Sequence, residues 1–316
     1  MPKPLMCSPA LLERDLAGRV YVVTGANSGI GFVTVTQLAT QGATVVLAAR
    51  RPVEGEKARA ELLAKSPRGR VEVLALDLAS LASVRAFAAE VLAKHTAIHG
   101  LVNNAGVMNT PAGRTADGFE MQFGTNHLGH YLLTELLLPA LRAGAPSRIV
   151  NVSSCYHDLA NGREGRIDFD DLHFERRAYD GWAAYAQSKL ANVLHAKQLA
   201  KRLEGSGVTA VSVHPGWVRT NLIRHSMPVW AQNLLSPMFR FGGLIEPWEG
   251  TQTTLHALLA PEVESQSGAF FSQLGFYREA AAKKGGWPLR SPNPHAHDDA
   301  AAERLDRVSR ELVGLA

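Results

Sequence analysis

The run from Arg19 to Thr40 limits the fold more than any other part of this chain. Arg19 to Thr24 (Arg-Val-Tyr-Val-Val-Thr) is a short β-branched stretch that reads as a buried strand. Thr24-Gly25-Ala26-Asn27-Ser28-Gly29-Ile30-Gly31 follows at once, and Phe32 to Thr40 reads as helix. Strand, glycine loop and helix in that order aim backbone N–H groups and a helix N-terminus at one point, which suits a pyrophosphate. The glycine spacing differs from the G-x-G-x-x-G of many dinucleotide sites, and taken alone it also describes a tight turn with no ligand.

The segments that follow favour the ligand. Ala43 to Ala49 reads as a second parallel strand whose tip, in a dinucleotide fold, meets the adenosine ribose. An acid there would bond a ribose 2′-hydroxyl, but this chain has Arg50 and Arg51. Either they pair with a 2′-phosphate through charge-assisted hydrogen bonds, or they are solvated surface charges. The first reading predicts NADP(H) in preference to NAD(H). Glu54 to Lys65 reads as helix, Val71 to Leu76 as a strand ending at Asp77-Leu78, and Ser80 to Lys94 as a helix with Ser80 as N-cap. Ile98 to Val102 is the fourth strand and ends in Asn103-Asn104-Ala105-Gly106, small residues that let a ligand approach the backbone. A long helix over Phe119 to Leu138 should stop at Pro139. Further strands over Arg148 to Val152 and Val208 to Val213 close in Ser153-Ser154-Cys155 and in His214-Pro215-Gly216-Trp217-Val218-Arg219-Thr220. Gly268 to Ser272 supplies a last strand, and Ala300 to Val313 a closing helix. The alternation predicts an α/β fold: one doubly wound Rossmann domain over 1–316, with a mostly parallel, seven-stranded sheet. Within it, 17–216 is the cofactor-binding core, 217–250 a small apolar substrate lid, and 278–316 a tail and helix.

Tyr185 and Lys189 fall on a helical stretch from Trp182 to Glu204, one turn apart on one face. A phenol titrates near pKa ~10, and a neighbouring ammonium favours the phenolate. Such a pair exchanges a proton with an alcohol or carbonyl oxygen. The pattern is common by chance, so its weight comes from the upstream motifs.

Composition excludes several function classes. Two cysteines, Cys7 and Cys155, make no disulfide framework and no metal cluster. The formal charge of +4 is too slight to argue for nucleic acid. No apolar run is long enough to span a membrane, and the first residues lack a signal-peptide core, so a cytoplasmic location is expected. None of His127, His130, His157, His214, His295 and His297 has metal-ligand spacing, and all read as structural.

Thr24-Gly25-x-x-x-Gly29-x-Gly31, Asn103-Asn104-Ala105-Gly106, Asn126, Ser154, Tyr185-x-x-x-Lys189 and Pro215-Gly216-x-Val218-x-Thr220 together resemble the short-chain dehydrogenase/reductase family. Asn126-His127-Leu128-Gly129-His130 and Ser188-Lys189-Leu190-Ala191-Asn192 are similar to its retinol dehydrogenase and WW-domain oxidoreductase branch. The resemblance implies a proton relay. Tyr185 is the general acid or base, Lys189 lowers its pKa and bonds the nicotinamide ribose, Ser154 orients the substrate oxygen, and Asn126 holds a water leading to Lys189. It places Gly25, Asn27, Ser28, Gly29, Ile30 and Gly31 at the phosphates and ribose, and Arg50 with Arg51 at the 2′-phosphate. Asp77 and Leu78 flank adenine, Asn104, Ala105 and Gly106 the adenine ribose, and Pro215, Gly216, Val218 and Thr220 the carboxamide. Of the two adjacent serines the family pattern favours Ser154. The long gap from Ser154 to Tyr185 looks like an inserted loop beside the pocket.

Between Arg219 and Pro247 the chain turns apolar, with Trp230, Met238, Phe239 and Phe241 among others. These side chains either cover an apolar alcohol or carbonyl substrate or pack in a core or subunit contact. The resemblance also implies dimers or tetramers through the long helices. A non-catalytic NADP-binding regulatory or scaffold protein is the alternative, and the intact Ser154, Tyr185 and Lys189 argue against it.

Overall fold

A computed structural model describes residues 3–65, 67–160, 162–219 and 243–315. A short helix α1 (Pro9–Glu13) leads into β1 (Val20–Thr24), α2 (Gly29–Thr40), β2 (Thr44–Ala49), α3 (Pro52–Leu63), β3 (Arg70–Ala75), α4 (Leu81–Lys94) and β4 (Gly100–Asn103). A one-turn α5 (Met121–Phe123) runs through a π-helical turn over Gly124–Leu128 into α6 (Gly129–Ala143). Then come β5 (Ser147–Val152), a two-stranded hairpin of β6 (Leu159–Ala160) and β7 (Arg163–Glu164), α7 (Gly181–Arg202) and β8 (Val208–His214). Beyond them lie α8 (Pro247–Leu259), β9 (Phe270–Ser272) and α9 (Asp299–Leu312).

The main sheet has seven strands in the order β3-β2-β1-β4-β5-β8-β9, and every pairing is parallel. Because parallel strands need crossover helices, the sheet is covered on both faces. Val35 and Leu38 of α2, Leu62 of α3 and Leu255 of α8 pack on one face. Phe87 of α4, Leu132 and Leu137 of α6, Leu190 and Leu194 of α7 and Leu305 of α9 pack on the other. Strand order reverses between β1 and β4, and ligands bind at the carboxyl ends beside such a switch point.

Pro139 does not stop the helix, as its position led one to expect: α6 runs on to Ala143. A proline inside a helix costs about 3 kcal/mol. Leu141 beyond it is fully buried, worth roughly 1.5–3 kcal/mol, and the Ala140 carbonyl accepts the Ile98 N–H at 2.9 Å. Tertiary packing therefore offsets the local penalty.

The outer face of α6 and α7 is covered by α9. His127 Nε2 lies 2.9 Å from Ser309 Oγ, and the Tyr131 hydroxyl donates to Asp306 Oδ1 at 2.9 Å. Arg202 makes a two-pronged contact with Glu135 and also reaches Asp306, while Arg310 bonds Glu135. The long helices expected to meet a second subunit are thus covered, along this face, by the chain's own last helix. No helix among the described residues is long and apolar enough to cross a membrane.

Candidate active site

A cavity of about 730 Å³ opens along the carboxyl ends of β1, β2, β4, β5 and β8. Its first end is the glycine loop. Gly25 has φ +62°, a left-handed conformation that favours glycine, and a Cβ there would lie 2.8 Å from the Ala105 Cβ. A Cβ on Gly31 would meet Asn104 Nδ2 at 2.6 Å and the Gly25 carbonyl at 2.7 Å. The loop and the β4 turn therefore touch only because side chains are missing. Ser28 is the N-cap of α2 but its side chain caps nothing, so the first-turn N–H groups have no side-chain acceptor there. Asn27, Ser28, Gly29 and Ile30 line this end with Arg50 and Arg51 at its rim. Neither arginine makes an ion pair among the described residues.

Tyr185 and Lys189 lie at the other end. Asp180 caps α7 by accepting the Trp182 and Ala183 N–H groups, which fixes where the helix starts. The Ser153 hydroxyl donates to the Lys189 carbonyl at 2.7 Å and pins α7 across the tip of β5. Ser153 is thus engaged with the helix backbone, whereas Ser154 Oγ accepts the Tyr156 N–H at 3.2 Å and lies close enough to the Tyr185 phenol to lower its pKa. This geometry distinguishes the two serines physically.

The electrostatics differ from the simple expectation. Burial pushes the Tyr185 phenol well above its usual range, and the Ser154 hydrogen bond only partly opposes it. Lys189 Nζ donates to the Val152 carbonyl at 3.0 Å and sits over the Tyr185 ring, 5.6 Å from its centroid. The shift of the phenol is governed by burial, with Ser154 opposing it. Burial also pushes Lys189 itself down to about 8. The phenol is therefore held protonated, as a donor.

Asn126, in the π-helical turn, uses its whole side chain to join elements. Its Oδ1 accepts the Val107 N–H at 2.8 Å, and its Nδ2 donates to the Val107 carbonyl and to Ser188 Oγ, each at 2.9 Å. Gly106 lies between it and the lysine: a Cβ there would be 3.1 Å from Asn126 Oδ1 and 3.5 Å from Lys189 Nζ.

Asn104, Ala105, Gly106, Pro215, Gly216 and Val218 all line the cavity. Asp77 and Leu78 do not. Asp77 caps its own turn by accepting the Ala79 N–H, and Leu78 is buried against Gly129. Thr220 and the apolar stretch over 220–242 lie outside the described residues. Of the proposed lid, 217–219 and 243–250 are described; Leu244 and Ile245 are buried, and Ile245 pairs with Val218. Residues Asp168 to Asp171 of the insertion do not line the cavity either.

Sequence reasoning missed the aromatic walls. Tyr156 and Trp182 stack at 4.9 Å with an interplanar angle of 15°, and both meet the Tyr185 ring edge-on. Trp217 and Phe276, also in the lining, meet edge-to-face at 5.4 Å. Trp182 was findable, since it precedes Tyr185 by about one helical turn. Phe276 was not: its loop is held by Arg278, which bonds the fully buried Asp158 through its backbone N–H at 3.1 Å and its Nε at 2.9 Å. The insertion thus supports the cavity through Arg278.

The short chain dehydrogenase profile matches residues 19–168. Retinol dehydrogenase 12 of Homo sapiens is 46% identical over 306 residues, covering 95% of this chain and 88% of that protein. The chain belongs to the short-chain dehydrogenase/reductase family. Retinol dehydrogenase 11 of Mus musculus is 50% identical over 302 residues, with the same coverage of 95% and 88%. A crystal structure of an uncharacterised Mycobacterium paratuberculosis protein is 37% identical, covers 95% of each chain and superposes with a TM-score of 0.73. The family is one of oxidoreductases.

Proposed function

We propose that this protein is an NADP(H)-dependent oxidoreductase that interconverts apolar alcohols with their aldehydes or ketones, using Ser154, Tyr185 and Lys189. The observation that carries this is the buried Tyr185 beside Ser154 and Lys189 at one end of a cavity whose other end is a glycine-loop cradle with two arginines that make no ion pair among the described residues. The cradle suits a dinucleotide, because the glycine loop packs on the β4 turn too closely for a Cβ at Gly25 or Gly31 and the first-turn N–H groups of α2 have no side-chain cap from Ser28. When bound, the nicotinamide supplies or accepts the hydride.

The chain's own residues do the rest. Arg50 and Arg51 pair with the 2′-phosphate. Ser154 holds the substrate oxygen against the phenol, and Tyr185 gives it a proton in reduction and takes one in oxidation. Lys189, with its ammonium above the ring and anchored to Val152, carries positive charge to the place where phenolate would form. The stacked pair Tyr156 and Trp182 and the edge-to-face pair Trp217 and Phe276, all in the lining, exclude water and favour an apolar substrate. The high identity to proteins named retinol dehydrogenase supports this substrate class.

The test is a panel of apolar aldehydes and ketones assayed with NADPH and NADH on wild type and on Tyr185→Phe. Turnover that prefers NADPH and is abolished by the substitution is expected. Tight NADPH binding without turnover on any carbonyl would instead support a non-catalytic role.

A further inference from the structure

We infer that His130 is a positioning residue for the dinucleotide end of the cavity, orienting the Thr24 hydroxyl that holds the Asn104–Ala105 turn. This rests on the reading of that end as a dinucleotide site. Thr24 ends β1, and its Oγ1 accepts the Asn104 N–H and the Ala105 N–H, each at 2.9 Å. A hydroxyl has two lone pairs and one hydrogen. With both lone pairs occupied, the hydrogen has two places to go: the Val102 carbonyl at 3.4 Å or His130 Nε2 at 2.9 Å. The ring nitrogen is the nearer.

The other side of the ring fixes the tautomer. His130 Nδ1 lies 3.0 Å from the Asn126 carbonyl, which only accepts, so Nδ1 carries the proton and Nε2 is the bare acceptor. The ring is 2% exposed. Burial, helped by the Lys189 charge and opposed by the Asn126 bond, holds its pKa down to about 4, so it stays neutral.

His130 therefore links the π-helical turn carrying Asn126 to the tip of β1, and through Thr24 to residues 104 and 105 on the cavity wall. The Thr24 carbonyl accepts the Asn104 Nδ2 at 2.7 Å, which ties the same turn a second time. If His130 loses its acceptor, the hydroxyl rotates toward Val102 and one lone pair leaves its N–H. The margin is small, since Gly25 and Ala105 are already too close to admit a Cβ.

Calorimetric titration of NADPH into wild type, His130→Leu, Thr24→Val and the double variant tests the link. Each single substitution should weaken binding about three- to tenfold, the range of one hydrogen bond. The double variant should be no weaker than the worse single, because both remove one connection. Thr24→Ser, which keeps the hydroxyl, should bind like wild type, and the loss in His130→Leu should appear in the cofactor KM more than in kcat. A folded His130→Leu with wild-type affinity, or additive losses, would overturn the inference. Wild type that binds no dinucleotide would overturn the site reading instead. Should His130→Leu not fold, ¹⁵N NMR of the wild-type ring decides: an Nδ1–H tautomer down to pH 5 supports the clamp, and an Nε2–H tautomer refutes it.

Discussion

The two ends of the cavity are made of different material. At the glycine-loop end the wall is backbone, Gly25 to Gly31 against Asn104 to Gly106, held by strand tips whose register the sheet dictates. At the Tyr185 end it is aromatic side chains from a helix start, a 3₁₀ turn and loops, steadied by ties such as Asp158–Arg278. Backbone on a parallel sheet tolerates little change, while side chains on loops are replaceable with the scaffold intact. A rigid backbone end and a replaceable side-chain end are thus separated by construction.

Acid provides the broadest test, because both ends stand on buried histidines. His130 backs the glycine-loop end, and His157 and His214 back the aromatic end. With His195 they have pKa values lowered by burial to about 4, 4, 3 and 3 respectively. The unfolded chain takes up protons below about pH 6.5, and the folded one does not until pH 3–4. Stability is therefore intact above pH 6.5 and should fall steeply toward pH 4. Thermal unfolding followed by tryptophan fluorescence and by NADPH protection should shift together. A flat midpoint from pH 7 to 5 would refute the assignment, and two separate transitions would show that the ends unfold independently.

Lys189→Met should lower kcat about a hundredfold or more while the far-UV spectrum stays native. Near-normal turnover would remove the lysine from the relay. Arg50→Asp should weaken NADPH roughly ten- to hundredfold, as loss of a charge-assisted bond does, with NADH almost unaffected; equal losses would show that no 2′-phosphate is read there. Gly31→Ala should weaken both cofactors about tenfold, because the 2.6–2.7 Å contacts force the loop from the β4 turn. Asp158→Asn should act on the other end alone. By loosening Arg278 and the Phe276 loop it should raise KM for apolar carbonyls roughly threefold, with NADPH affinity unchanged in titration. A matching change in cofactor affinity would erase the distinction between the two ends.

Much of this was legible in the chain. The strands β1, β2 and β8 ran β-branched and apolar because they are buried on both faces, and their tips carried small or polar residues. Ser80 at the α4 N-cap and the Tyr185–Lys189 spacing were local facts of the same kind. Less legible were features set by distant partners. Pro139 reads as a stop until Leu141 finds its pocket. Asp77 and Leu78 sit at a strand tip but turn toward their own loop and the core. The arrangement that pairs Phe276 with Trp217 needs the insertion to fold back on a tail far along the chain.

Residue type and spacing alone determined the alternation of strand and helix, the glycine cradle and the identity of the tyrosine–lysine pair, because these depend on backbone sterics and helical periodicity within a few residues. Only the tertiary structure decided that burial pushes the Tyr185 phenol up, that Lys189 anchors to Val152, and that α9 covers α6 and α7. Desolvation and hydrogen-bond geometry depend on what surrounds a group in space, and sequence neighbours do not supply that.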